Sequence, residues 1–266
     1  MKIGIVGCAG RMGRMLVGEV LNQDGLELAG GSESPGHAAL GQDIAALAGA
    51  PACGLTVIDS AAAVFADADA VVDFTVPAVT QTHAKLAAEH GAALVIGTTG
   101  LSNDDQRAVE AAAKTVPVVQ AANMSVGVNV LLGLLERAAG LLGEEYDIEI
   151  VEMHHRHKVD APSGTALALG RAAAAGRKVD LEKASVRGRD GITGARKKGT
   201  IGFASLRGGD VAGDHSVIFA ADGERVELTH KASSRAVFAT GAIRAARWTE
   251  GRAAGLYSMR DVLGFS

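Results

Sequence analysis

The sequence predicts a two-domain α/β protein, in which a doubly wound parallel sheet is followed by a smaller α+β domain with a mixed or antiparallel sheet. Three observations predict it. Short apolar runs alternate with helix-period stretches through the first half of the 266 residues, the pattern of a parallel sheet with helical crossovers. A glycine-rich turn joins the first apolar run to the first helical one. Beyond residue 200, three strand-like runs follow one another without helices between them, which indicates a second sheet with antiparallel pairing.

Residues 2–7 read as the first strand, and Gly7-Cys8-Ala9-Gly10-Arg11-Met12-Gly13 turns it into a helix through Met15, Leu16 and Leu21. Strand, glycine turn and helix together form the Rossmann-type cradle for a dinucleotide pyrophosphate. Gly7 allows the tight turn, Gly10 lets backbone N–H groups approach phosphate, and Gly13 lets the helix pack against the strand. The helix N-terminus adds partial positive charge. The spacing is G-x-x-G-x-x-G, with Ala9 where the common fingerprint has glycine, so a turn that merely joins strand to helix is the bland alternative. A second strand, 26–30, leads to Glu33, near the place where a ribose-binding acid is expected, about 20 residues past the glycines. A carboxylate there accepts from ribose hydroxyls and repels a 2′-phosphate. Ser34 supplies no guanidinium for such a phosphate, although Arg11 and Arg14 stand on the turn, so the residues favour NADH over NADPH.

Strands at 70–75, 93–96 and 116–120 alternate with helices over 79–89 and 104–114. Ligands of such sheets sit beyond the carboxyl ends of the strands. Phe74 to Pro77, Gly97-Thr98-Thr99 and Ala121-Ala122-Asn123-Met124 all fall there and would line the nicotinamide half of a cofactor; the alternative is ordinary strand-to-helix loops. A long apolar helix after 125–129, ending near Leu142, leads out of the first domain. Then come a strand over 146–155, an Ala-rich helix over 165–175, a basic glycine-rich loop over 185–200, and strands over 200–207, 215–221 and 225–230. A helix over 233–248 returns the chain. The expected division is a dinucleotide-binding domain of residues 1–125 and 236–266, and a substrate-binding and oligomerisation domain of residues 126–235. The open face of the second sheet is expected to meet another subunit.

Composition narrows the function classes. Hydrophobic residues make up 48% and aromatics only 3%, so the core is built from Ala, Val, Leu and Ile. A formal charge of −4 argues against wholesale nucleic-acid binding, which usually needs a basic surface. Cys8 and Cys53 are the only cysteines, too few for a disulfide framework. No apolar run approaches the ~20 residues of a membrane helix, and the first residues do not read as a signal peptide. A cytoplasmic protein with small-molecule ligands, no nucleic acid and no membrane is expected.

The densest chemistry lies at Glu152 to Thr165, E-M-H-H-R-H-K-V-D-A-P-S-G-T. The alternation of Ile148, Ile150 and Met153 leads a strand into it, and Pro162-Ser163-Gly164-Thr165 opens a helix. Three readings compete for His154, His155, His157 and Lys158. A metal site needs converging ligands, but on a strand His155 and His157 would share one face and His154 the other, and the lysine opposes a cation; no metal is expected. A structural role would pair the histidines with Glu152 or Asp160. Acid–base catalysis with anion binding accounts for most of the residues, because hydride addition to an electron-poor carbon leaves negative charge that a proton must quench. A carboxylated substrate also needs cations and backbone N–H groups.

With these residues assembled, the chain resembles the 4-hydroxy-tetrahydrodipicolinate reductase (dihydrodipicolinate reductase) family of the diaminopimelate route to lysine. The matching motifs are G-C-A-G-R-M-G at 7–13, G-T-T-G at 97–100, A-A-N-M-S at 121–125, the whole of 152–166, G-T-I-G-F at 199–203 and T-H-K-A-S-S-R at 229–235. The resemblance implies a reductase that delivers hydride from NAD(P)H to a cyclic hydroxy-dicarboxylate with loss of water. It implies that His154 is the proton donor/acceptor and Lys158 a proton donor. His155 would bind one substrate carboxylate, and Ser163, Gly164 and Thr165 the other. Gly7, Cys8, Ala9, Gly10, Arg11, Met12, Glu33, Gly97, Thr98, Thr99, Ala121, Ala122, Asn123 and Met124 would hold the cofactor. Many members carry arginine after the ribose acid and use either cofactor; Ser34 stands here, so NADH is the preferred cofactor and NADPH a permitted one. A homotetramer built through the second sheet is implied as well. Aspartate-semialdehyde and homoserine dehydrogenases share the two-domain plan, but the former needs a nucleophilic cysteine in its catalytic domain. A non-catalytic NAD-responsive regulator would have no need of the 152–165 cluster.

Overall fold

The computed structural model describes residues 1–265. The chain divides into two compact units, Met1–Val126 with the segment that begins at Ala236, and Gly127–Arg235.

The first unit contains β1 (Lys2–Val6), α1 (Arg11–Leu21), β2 (Glu27–Ser32), α2 (Ile44–Leu47), α3 (Ala61–Asp67), β3 (Ala70–Asp73), α4 (Pro77–His90), β4 (Ala93–Ile96), α5 (Asn103–Ala112) and β5 (Pro117–Gln120). Together with a late strand, β11 (Gly255–Tyr257), its strands form a sheet of order β11-β5-β4-β3-β1-β2 in which every pair is parallel. The strands read as unbroken apolar runs because both faces are covered. Ile3, Ile5, Val72, Val95 and Val119 face one core with Leu16 and Val20 of α1, while Val71, Leu94, Ile96 and Val118 face the other with Ala84, Ala87 and Val109.

The second unit is built from α6 (Val126–Leu142), β6 (Asp147–His154), α7 (Gly164–Arg177), α8 (Leu181–Ala184), β7 (Ser185–Val186), β8 (Ile201–Arg207), β9 (Gly213–Ala221) and β10 (Glu224–Ala232). Its sheet is mixed, with the order β10-β9-β6-β8-β7. The central strand β6 runs parallel to β8 and antiparallel to β9. Helices α6 and α7 cover one face through Leu131, Leu135, Leu169 and Ala173. They approach closely at Gly176, where a Cβ would stand 2.2 Å from the Glu136 carbonyl oxygen.

The chain then returns to the first unit through α9 (Ala236–Trp248), β11 (Gly255–Tyr257) and α10 (Met259–Leu263). Helix α9 lies against the backbone before α6, since a Cβ on Gly241 would stand 1.8 Å from the Met124 carbonyl oxygen. Helices α2, α3, α8 and α10 and strand β11 have no counterpart in the sequence reading, and β7 falls where it expected the start of the basic loop. The basic loop between β7 and β8 is tied down by β6: Arg189 reaches both carboxylate oxygens of Glu149 at 2.9 and 2.8 Å, and Arg196 bonds Glu149 at 2.9 Å and Asp147 at 2.7 Å.

One detail of the strand leading to the histidines differs from expectation. β6 buries every second residue, and the buried set is Ile148, Ile150, Glu152 and His154. Met153 therefore lies on the opposite face from the isoleucines. The strand stops at His154, and the Lys158 N–H bonds back to the His155 carbonyl at 3.1 Å, so His155 and His157 sit in a turn and strand alternation does not govern them.

Candidate active site

In the second unit, the two polar residues that continue the buried apolar face of β6 meet each other. His154 Nδ1 lies 2.5 Å from Glu152 Oε2, and both residues are buried. A carboxylate there must be paired or neutralised. Arg207 Nη1, from β8, donates to Glu152 Oε2 at 2.9 Å, and the Ser163 N–H donates to Oε1 at 3.2 Å. Burial pushes the Glu152 pKa up, but hydrogen bonds with His154, Ser205 and Arg207 outweigh it and hold the carboxyl below its ordinary value. Nδ1 of His154 is thus committed to the carboxylate, which leaves Nε2 for proton transfer.

His215 of β9 packs edge-on to His154, with ring centroids 5.0 Å apart. Its Nε2 is 3.1 Å from Ser163 Oγ, while Nδ1 is buried with no hydrogen-bond partner. Burial, followed by the neighbouring His154 charge, lowers its pKa to about 4. A neutral imidazole is therefore built into the wall of the site at neutral pH.

Ser163 also caps α7, its hydroxyl accepting the Ala166 N–H at 3.1 Å. This places the first-turn N–H groups of Gly164 and Thr165 at the helix's positive end, where anions bind favourably. Gly164 is exposed and a Cβ there would meet nothing within 4 Å. In the turn after β6, Lys158 Nζ donates to Asp160 Oδ1 at 2.8 Å. The lysine bond is the leading cause that holds Asp160 below the ordinary carboxylate range. His155 Nε2 lies 3.5 Å from Arg235 Nη2. Burial first, then the Arg235 charge, lowers the His155 pKa. The structure thus brings His154, Ser163, Glu152 and His215 into one network, with Lys158 and His155 on the adjoining turn. Among the described residues no cluster of three His, Cys, Asp or Glu side chains is arranged to hold a metal ion.

In the first unit the glycine turn has the geometry of a phosphate cradle. Gly7 has φ +70°. A Cβ on Gly13 would stand 2.1 Å from the Gly7 carbonyl oxygen and 2.6 Å from Cys8 Cα, so only glycine permits this approach of helix to turn. Gly10 is the N-cap of α1 and makes no side-chain cap bond, which leaves that helix end open to an anion. Glu33 reaches the turn, its Oε1 accepting the Ala9 N–H at 2.9 Å. Arg14 Nε donates to the Ala9 carbonyl at 2.8 Å, and Arg11 and Arg14 are both exposed. These residues fit an adenosine dinucleotide.

The other expected cofactor residues divide into two sorts. Gly97, Thr98 and Thr99 follow β4, and Ala121 to Asn123 follow β5, at the carboxyl edge of the sheet. Thr99 and Ala122 are exposed. Cys8 and Met124 are each 1% exposed and belong to the core, and Met12 packs against it, so these can offer a ligand little beyond backbone.

Sequence reading did not single out Arg207, His215, Asp73 or His83. Arg207 and His215 stand 55 and 52 residues from their partners, and no local spacing marks them. Asp73 had a signal: an acid closing the apolar run Ala70-Val71-Val72.

Comparison with known proteins agrees over the whole length. The family profile described as "Dihydrodipicolinate reductase, N-terminus" matches residues 1–124, and that described as "Dihydrodipicolinate reductase, C-terminus" matches residues 127–263. A 4-hydroxy-tetrahydrodipicolinate reductase of Rhodopseudomonas palustris is 54% identical over 266 residues, covering 100% of this chain and 98% of that protein. One of Parvibaculum lavamentivorans is 56% identical over 265 residues, covering 99% and 98%. Among solved structures, the dipicolinate-bound dihydrodipicolinate reductase from a Paenisporosarcina species shares the fold, with a TM-score of 0.78, 24% identity and 97% of each chain covered.

Proposed function

The chain belongs to the dihydrodipicolinate reductase family, and on that footing we propose that it reduces (2S,4S)-4-hydroxy-2,3,4,5-tetrahydrodipicolinate to (S)-2,3,4,5-tetrahydrodipicolinate, with loss of water, in diaminopimelate and lysine biosynthesis. The observation that carries the reading is the buried Glu152–His154 pair beside Lys158 and the capped N-terminus of α7.

A reduced nicotinamide supplies the hydride when bound, and the protein must supply a proton and hold two carboxylates. Lys158 is one bond from Asp160 and half-buried, so it can carry a proton to the site. His154, oriented by Glu152, presents Nε2 as a second donor or acceptor. The N–H groups of Gly164 and Thr165, with the Thr165 hydroxyl, suit one carboxylate; His155, beside Arg235, suits the other. In this reading residues 1–125 with 236–266 bind the dinucleotide, and 126–235 bind the substrate.

NADH is the preferred cofactor and NADPH a permitted one. Glu33 accepts the Ala9 N–H, Ser34 provides no cation, and Arg14 commits its Nε to the Ala9 carbonyl, so a 2′-phosphate would meet the exposed side chains of Arg11 and Arg14 rather than an arginine beside Glu33. The protein acts in the cytoplasm as a homotetramer. The face of the second sheet away from α6 and α7 supports such an assembly, because it carries Leu206 at 50% exposure.

The reading is tested by following loss of reduced-nicotinamide absorbance while a synthase generates the substrate from pyruvate and aspartate semialdehyde. Oxidation that depends on the synthase, faster with NADH than NADPH, is expected. Folded protein that binds NADH yet oxidises neither cofactor would contradict it and favour a non-catalytic NAD-responsive regulator.

A further inference from the structure

Asp73 closes β3 and is wholly buried, at 0% exposure, yet nothing in the proton chemistry above uses it. Burial pushes its pKa up, but bonds with His83 and Thr75 outweigh that and hold it below the ordinary carboxylate range, so it is a buried anion. Its backbone already serves the sheet: the Gly97 N–H bonds the Asp73 carbonyl at 2.9 Å. The side chain serves something else.

Four donors converge on the carboxylate from outside β3. His83 Nδ1, on α4, lies 2.7 Å from Oδ2. The Thr75 N–H and hydroxyl, in the loop between β3 and α4, reach Oδ1 at 2.8 and 2.6 Å. The Thr98 hydroxyl, in the loop between β4 and α5, reaches the same Oδ1 at 3.1 Å. Two loops at the carboxyl edge of the sheet are thus tied to one oxygen atom. Packing joins them further, since a Cβ on Gly97 would stand 2.3 Å from the Phe74 ring. The knot also touches the glycine turn: Thr75 Cγ2 fills the space where a Cβ on Gly7 would lie, at 2.8 Å.

We propose that Asp73 is a positioning residue for dinucleotide binding, fixing the loops of Thr75 and Gly97-Thr98-Thr99 against each other on the nicotinamide side without itself touching the cofactor. His83 holds the carboxylate from behind and leaves Oδ1 to the loops. Because a hydrogen bond to a charged group is stronger than a neutral one, a single buried anion can hold two loops that otherwise follow separate strands. The inference rests on the reading of these loops as the nicotinamide side of the cofactor site.

The test uses the full chain and compares NADH with ADP-ribose, which lacks the nicotinamide. Asp73→Ala removes the knot. His83→Leu removes only the rear donor, and His83→Asn restores a donor near the Nδ1 position, so the question remains answerable if Asp73→Ala does not fold. An NADH Kd about tenfold weaker lies within what one hydrogen bond to a charged group is worth when its loss frees the loops that meet the cofactor. That is expected for His83→Leu, with ADP-ribose weakened less than about twofold and Asn recovering most of the loss. The KM for the cyclic dicarboxylate and kcat at saturating NADH should stay close to wild type. Equal weakening of NADH and ADP-ribose, or unchanged NADH affinity, would overturn the inference. Wild-type protein that binds neither ligand would instead overturn the cofactor reading beneath it, and the inference with it.

Discussion

His154 Nδ1 lies 2.5 Å from Oε2 of Glu152, two residues back on the same buried face of β6. The two-residue period of a strand makes this pairing, and the Arg207 guanidinium and Ser163 N–H hold the carboxylate in place. Glu152→Gln keeps the shape and removes the charge. It should lower kcat by roughly 10²-fold, the scale of a lost acid–base contribution, with the NADH Kd unchanged. Stopped-flow kinetics and calorimetric titration check this, and a kcat within twofold of wild type would make the pair merely structural.

His215 gives a pH dependence whose sign is fixed. Its pKa falls from 6.5 to about 4 in the folded protein, so the fold favours the neutral ring. The unfolded chain takes up a proton first as pH drops. Stability is therefore full above pH ~6.5 and is lost towards pH ~4, by up to roughly 3 kcal/mol. Urea unfolding of wild type and His215→Asn across pH 8 to 4 should show the variant's curve to be flatter over that window. Parallel curves would contradict the account.

The glycine turn separates two substitutions that look alike in sequence. Gly13→Ala would put a methyl 2.1 Å from a carbonyl oxygen, so α1 must shift; a loss of about 1–3 kcal/mol is expected. On Gly10 the nearest atom to a Cβ is 3.2 Å away, and its φ of −69° suits any residue. Gly10→Ala should stay within about 1 kcal/mol of wild-type stability yet bind NADH more weakly, because its methyl stands at the open helix end. Thermal melts with and without NADH distinguish the two.

Cofactor choice should respond to one position. Ser34→Arg adds the guanidinium absent beside Glu33, and a bidentate phosphate contact is worth enough to raise kcat/KM for NADPH by about tenfold. The NADH value should change much less. Initial rates with each cofactor measure it, and an unchanged NADPH value would mean that residue 34 does not face the ribose.

Much of this was legible in the sequence because the relevant patterns are local. Buried parallel strands such as Val71-Val72 and Leu94-Val95-Ile96 announce themselves as apolar runs, and the turn at 7–13 carries its own geometry. The Glu152–His154 pairing was within reach, since both continue the Ile148, Ile150 alternation, but Met153 drew the apolar face one residue out of phase. β11 was not legible: Gly255–Tyr257 is three residues long, and its pairing with β5 is tertiary. The Asp73 knot likewise draws on His83 and Thr98, 10 and 25 residues away, so an acid ending an apolar run signals burial without naming its partners.

In the proposed reaction the proton comes from His154, which ends β6, or from Lys158 in the turn that follows it. The most direct test is turnover at saturating NADH for His154→Ala and Lys158→Ala, with NADH affinity and melting temperature measured on the same samples. At least one is expected to lose roughly 10²-fold or more in kcat while NADH affinity is preserved. If both turn over near the wild-type rate, the 152–165 constellation is not the proton source.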